Sequence, residues 1–203
     1  MAYKPNAREY RDFSVNNFQA VESDEPEKRY MVEGYATTFD APYDFIGDTK
    51  ECISSRALDG ADMSDVIFQY DHQGLVMARM RNNSLSVFPD EHGLHVQADL
   101  GGTEQGRQLH EAIKNGLVDR MSWGFMIDED GWEYDRETKT ATITKVAKVY
   151  DVSAVSLPAN EDTEISARSY LDGVIEQEKQ ELLLREEEAE MRKRLALSMQ
   201  ITR

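Results

Sequence analysis

The sequence predicts an α+β domain that is mainly β. Three observations carry that expectation. Short runs rich in β-branched and aromatic residues recur between turn residues. One helical pattern interrupts them, between Gly102 and Gly116. After Gly173 the chain has neither glycine nor proline and is dense in Glu, Leu, Arg and Lys, so it reads as helix. With 203 residues, 40% of them hydrophobic and 31% charged, the chain can bury a core and suits one principal domain with a small appendage.

Taken in order, residues 1–28 end in the acidic stretch Glu22-Ser23-Asp24-Glu25-Pro26-Glu27-Lys28 and read as an N-terminal arm of uncertain order. The principal domain spans residues 29–170. Its first strand is expected over Tyr30–Phe39, before the turn Asp40-Ala41-Pro42. Further strands are expected at Val66–Tyr70, Leu85–Phe88 and Leu94–Ala98, the last two joined as a hairpin through Pro89–Gly93. Thr103 can cap a helix whose face is lined by Leu109, Ala112 and Ile113 and which stops at Gly116. Strand character returns at Met121–Ile127, Asp130-Gly131 suits a tight turn, and Thr140–Leu157 supplies one long bent strand or two short ones before Pro158. Residues 171–203 form a charged helical tail. Ile175, Leu182, Ala189 and Ala196 recur every seven residues, but Glu178, Arg185 and Arg192 hold the companion positions, so a coiled-coil seam is missing and the helix is solvated or partner-dependent.

The formal charge of −16, from 39 acidic and 23 basic residues, argues against nucleic acid as a partner, because a phosphate backbone would be repelled. Arg192-Lys193-Arg194, the one basic block, sits in the mixed-charge tail. No uncharged apolar stretch reaches the ~18 residues of a membrane span. The start, MAYKPNAREYRDFSV, lacks the apolar segment of a secretory signal. A single cysteine, Cys52, excludes an internal disulfide framework and a Cys-rich zinc module, and fits a reducing cytosol.

Four histidines are available for chemistry. His110, in the helical pattern, and His92, in a turn, are expected at the surface, and His95 belongs to an alternating strand. His72 differs, because it closes the run Val66–Asp71 and precedes Gln73-Gly74, a strand end where reactive groups are often held. Among hydroxyls, Ser122 has the most distinctive setting, Arg120-Met121-Ser122-Trp123-Gly124-Phe125. A serine nucleophile needs an adjacent base and an open path, and Gly124 removes a side chain two residues away on the same strand face.

Four segments, in order, resemble the caudoviral prohead proteases, the serine peptidases that mature tailed-phage capsids. Val32–Phe39 is similar to their opening strand, Tyr70-Asp71-His72 with Val76–Arg79 to their histidine segment, Leu117–Phe125 to their nucleophile segment, and Asp151–Asn160 to their closing strand and loop. The resemblance covers roughly Arg29 to Asn160. It implies a compact β-barrel with flanking helices, related in fold to herpesvirus assemblin and followed here by the charged C-terminal helix. It also implies a serine endopeptidase with Ser122 as nucleophile and His72 as general base. No histidine follows Ser122, so the third member is a carboxylate or the site is a dyad. Asp151, on the strand after the nucleophile strand, is the choice, with Glu111 and Asp71 as rivals. By analogy with assemblin, the loop Pro158-Ala159-Asn160 supplies oxyanion donors, although Pro158 itself has no N–H.

No cofactor is implied. A metal site has little support either, since His92 and His95 lie on a turn and strand without a helical Asp/Glu-His motif. The expected partners are the major capsid and scaffold proteins as substrates and the chain itself by self-cleavage, inside the assembling prohead in the host cytoplasm. A homo-oligomer is compatible with this reading. Two alternatives stand beside it: a non-catalytic capsid or tube component on the same barrel, and a protease fused to a scaffold segment after Asp172. A structural subunit has no reason to bring His72, Ser122 and Asp151 together, so their separation discriminates.

Overall fold

The computed structural model describes residues 8–13, 18–21 and 29–156, and helical residues between 173 and 193. The strands are, in order, β1 (Arg8–Phe13), β2 (Gln19–Ala20), β3 (Met31–Thr38), β4 (Tyr43–Ile46), β5 (Thr49–Ile53), β6 (Ile67–Tyr70), β7 (Gln73–Arg79), β8 (Leu85–Pro89) and β9 (Gly93–Asp99). Helix α1 (Glu104–Lys114) follows, and then β10 (Arg120–Ile127), β11 (Trp132–Asp135), β12 (Thr140–Ile143) and β13 (Val146–Val155). The fold is thus α+β and mainly β.

Hydrogen bonding organises these strands into three sheets: a five-stranded one ordered β1-β10-β13-β6-β7, and four-stranded ones ordered β11-β12-β5-β4 and β2-β3-β9-β8. None of the three closes on itself, so the described residues do not form the single closed ladder that a barrel implies. In the five-stranded sheet β13 and β6 run parallel and every other pair is antiparallel. The core lies between β1 and β10 on one side and β3 on the other. Trp123, Phe125, Phe68, Leu94, Leu100 and Val32 are fully buried there, each such burial worth about 1.5–3 kcal/mol.

Helix α1 forms as its sequence dictates. The Thr103 side chain accepts the Gly106 N–H at 2.9 Å, Leu109 and Ile113 are buried, and Gly116 takes a positive φ of 69° just beyond the end. His110, expected at the surface, is buried instead and meets the edge of Tyr30. The span Thr140–Leu157 divides into two strands, β12 and β13. Part of the expected N-terminal arm belongs to sheets: β1 pairs along β10 and β2 along β3. Residues of the tail between 182 and 193 are helical and exposed, with Leu182, Leu183, Leu184 and Met191 open to solvent. The loop Pro158-Ala159-Asn160 lies outside the described residues.

Candidate active site

Strand β10 lies between β1 and β13, and Ser122 is its third residue, opposite Asp12 of β1 and Ser153 of β13. Side chains alternate along it. Met121, Trp123, Phe125 and Ile127 enter the core, where the Trp123 and Phe125 rings stack at 3.9 Å, and this leaves Ser122 and Gly124 on the other face. Gly124 is paired with Asp151 and Ser122 with Ser153, so the same alternation brings Asp151 and Ser153 to the Ser122 face. The register shifts between Gly124 and Phe125, leaving Tyr150 as the extra residue of a bulge immediately beside Asp151. Bulges of this kind re-aim side chains next to functional sites.

His72 arrives from the turn between β6 and β7. Tyr70 pairs with Gln73, so Asp71 and His72 alone form the connection, and both have positive φ, 46° and 56°. That is the backbone pattern of a two-residue type I′ hairpin, which ordinarily selects Asn-Gly. Non-glycine residues held there cost on the order of 1–3 kcal/mol each and persist only where their surroundings fix them. The surroundings do so here. Asp71 N–H donates to Ala154 O at 3.0 Å, Asp71 Oδ1 accepts the Ser156 N–H at 3.1 Å, and Gln69 Nε2 donates to Gly74 O at 3.2 Å. The hairpin tip is thereby tied to the end of β13, and the imidazole reaches over the Ser122 face.

His72 Nε2 lies 2.6 Å from Ser122 Oγ, and His72 Nδ1 lies 2.5 Å from Asp151 Oδ2. Asp151 is fully buried; Ser153 Oγ donates to its Oδ2 at 2.8 Å and Arg8 Nη2 forms an ion pair with its Oδ1. Burial opposes ionisation of Asp151. The hydrogen bond and charge of His72, the Arg8 guanidinium and the Ser153 hydroxyl outweigh that penalty and hold the carboxyl below its ordinary range. An ionised Asp151 only accepts, so Nδ1 carries the imidazole proton and Nε2 is free to accept the Ser122 hydroxyl. The Tyr10 ring packs edge-on against the imidazole, the ring centres 4.4 Å apart.

The two rival carboxylates lie elsewhere. Asp71 bonds to Ser156, and Glu111 is an exposed residue of α1 beside His110. His92 and His95 both pack against Tyr35. Among the described residues no group of three or more His, Cys, Asp or Glu side chains could hold a metal ion. Three residues around the site escape the sequence reading: Arg8, Tyr10 and Ser153. Ser153 had a signal, since it follows Asp151 by two on one strand. Arg8 and Tyr10 had none, because REYRDF does not read as a strand.

The model of the caudovirus prohead serine protease family matches residues 17–175, more than half of the chain. The chain belongs to that family. It is 24% identical to the prohead protease of Escherichia phage T5 over 157 residues, covering 76% of this chain and 70% of the relative. It is 28% identical to the prohead protease of Enterobacteria phage HK97 over 154 residues, covering 72% of this chain and 64% of the relative. No solved structure matches the chain. The family match takes in β6, β7, β10 and β13, which carry His72, Ser122 and Asp151, and begins after β1, so Arg8 and Tyr10 lie outside it.

Proposed function

We propose that the chain is the serine endopeptidase of prohead maturation, that Ser122, His72 and Asp151 are its triad, and that capsid and scaffold polypeptides inside the immature phage head are its substrates. The observation that carries this reading is the unbroken chain of hydrogen bonds from Ser122 Oγ through both ring nitrogens of His72 to Asp151. In the reaction, His72 Nε2 takes the hydroxyl proton as Ser122 Oγ attacks the scissile carbonyl carbon. The C–N bond breaks as that proton passes to the leaving amine, giving an acyl-enzyme. Water, deprotonated by the same nitrogen, then releases the acid and restores the serine. Asp151 keeps the imidazole in the required tautomer and stabilises the imidazolium that forms at each step. The negative net charge favours basic substrate segments. Self-cleavage belongs to the same reading.

A non-catalytic shell component would gain nothing from a serine, an imidazole and a buried carboxylate in series on three neighbouring segments. The test is hydrolysis of capsid protein by the purified chain and its variants. Ser122→Ala and His72→Ala should each lower the rate by ~10⁴-fold or more, and the double variant should be little worse than either, because the two residues act as one unit. Losses that multiply in the double variant, or retained hydrolysis in Ser122→Ala, would defeat the assignment.

A further inference from the structure

The strand that the family match leaves out reaches into the site. Cross-strand pairing sets Arg8 opposite Met126, Tyr10 opposite Gly124 and Asp12 opposite Ser122, so these three share the face of the candidate triad. The Arg8 guanidinium ion-pairs with Asp151 Oδ1, the oxygen that His72 does not use. It lies over the rings of Tyr10 and Tyr150, with its central carbon 5.0 and 4.8 Å from their centroids. On the opposite face of β1, Arg11 forks onto buried Glu51 of β5, Nε to Oε1 at 2.6 Å and Nη2 to Oε2 at 3.0 Å, and also donates to Glu9 Oε2 at 3.2 Å. Were β1 to leave, Glu51 would keep a charge in the core without its guanidinium, and Asp151 would keep only His72 and Ser153. The strand is therefore fastened as part of the fold.

We propose that Arg8 is a positioning residue for peptide hydrolysis, clamping the second oxygen of Asp151 so that the first is aimed at His72 Nδ1, and that β1 is an integral wall of the active centre. This inference rests on the serine-protease reading of Ser122, His72 and Asp151. It has a consequence for processing: shedding residues 8–13 switches the enzyme off, so self-cleavage that accompanies activation spares them.

The test compares the full-length wild-type chain with Arg8→Met, which keeps most of the packing over the tyrosines, Arg8→Lys, which restores a charge, and Ser122→Ala. The readout is the rate at which a fluorophosphonate labels Ser122, the serine oxygen bonding to phosphorus as fluoride leaves and His72 takes the proton, followed from pH 4 to 9. Melting temperature is recorded for each variant. Arg8→Met should label ~10- to 100-fold more slowly, and Arg8→Lys should recover most of that loss. The groups facing Asp151 are Arg8 and Tyr10 from β1 and His72 from the hairpin. With the guanidinium gone, Asp151 takes up its proton at a higher pH, so the acid limb of the Arg8→Met profile should move upward. A merely structural role would lower the melting temperature and leave that limb in place, and this result would overturn the proposal. So would unchanged labelling of Arg8→Met, or faster labelling, the outcome expected of an inhibitory latch. Absence of Ser122 labelling in the wild-type chain would overturn the serine-protease reading itself, and the role of Arg8 with it.

Discussion

A methyl group at position 124 would sit 2.3 Å from Asp151 Oδ1 and 2.9 Å from Arg8 Nε. The carboxylate cannot withdraw, because Asp151 is buried and bonded on both oxygens. Gly124→Ala should therefore displace the carboxylate from His72 and lower kcat for peptide hydrolysis by ~10²-fold, the usual consequence of a catalytic group moved by about an ångström. Steady-state kinetics on the purified variant check this. Asp151→Asn should cost roughly 10⁴-fold by presenting the imidazole in the wrong tautomer. The same carboxylate sets the response to acid. Its pKa is lowered in the folded state, so its contribution to stability is present above the ordinary carboxylate range and is lost as pH falls through the folded value. Activity should fall in that direction too, as a protonated Asp151 no longer accepts from Nδ1. At this scale Gly124, Ser122, His72 and Asp151 were legible as residue types in telling positions. Their neighbour Arg8 was not, because it is 143 residues distant in the chain from its partner Asp151.

Strand β1 shows why some elements stay hidden in a sequence. REYRDF carries four charges in six residues, and hydrophobic alternation, the signal that marks a half-buried strand, is absent. The inward positions are filled by Glu9 and Arg11; burial of Arg11 opposes its charge, but its pairing with Glu51, helped by Glu9 and Tyr43, raises its pKa. Pairing substitutes for apolarity. Removing one partner, as in Arg11→Met, should destabilise the chain by about 3–5 kcal/mol because Glu51 is left charged and buried, and adding Glu51→Leu should recover much of that loss. Urea denaturation of the two variants measures it. Strand β7 hid for a different reason: Gln73, Gly74, Leu75 and Val76 are all exposed, so no face is marked by the pattern. Helix α1 was readable because cap, apolar face and stop agree. Thr103→Ala should cost about 1 kcal/mol through the lost bond to Gly106 N–H.

Across the whole molecule, the mainly β class and the order of the central elements followed from local pattern, whereas strands β1, β2, β4, β5, β7 and β11 and the division into three sheets did not. Which strands share a ladder is decided by long-range pairings such as β13 with β6 and β12 with β5, both parallel and both joining segments far apart in sequence. The pairing of β13 with β6 matters most for the site, since it brings the His72 hairpin beside Asp151. The described residues of the tail between 182 and 193 are helical and exposed. A chain ending after Ser169 is expected to hydrolyse peptides at an unchanged rate and to be incorporated less into proheads, with peptide assay and prohead composition as the two measurements. Prohead processing should depend on one serine, Ser122 of β10. Mass spectrometry of capsid and scaffold proteins co-expressed with the wild-type chain or with Ser122→Ala decides this: new termini should arise with the wild type alone, and the same termini appearing with Ser122→Ala would contradict it.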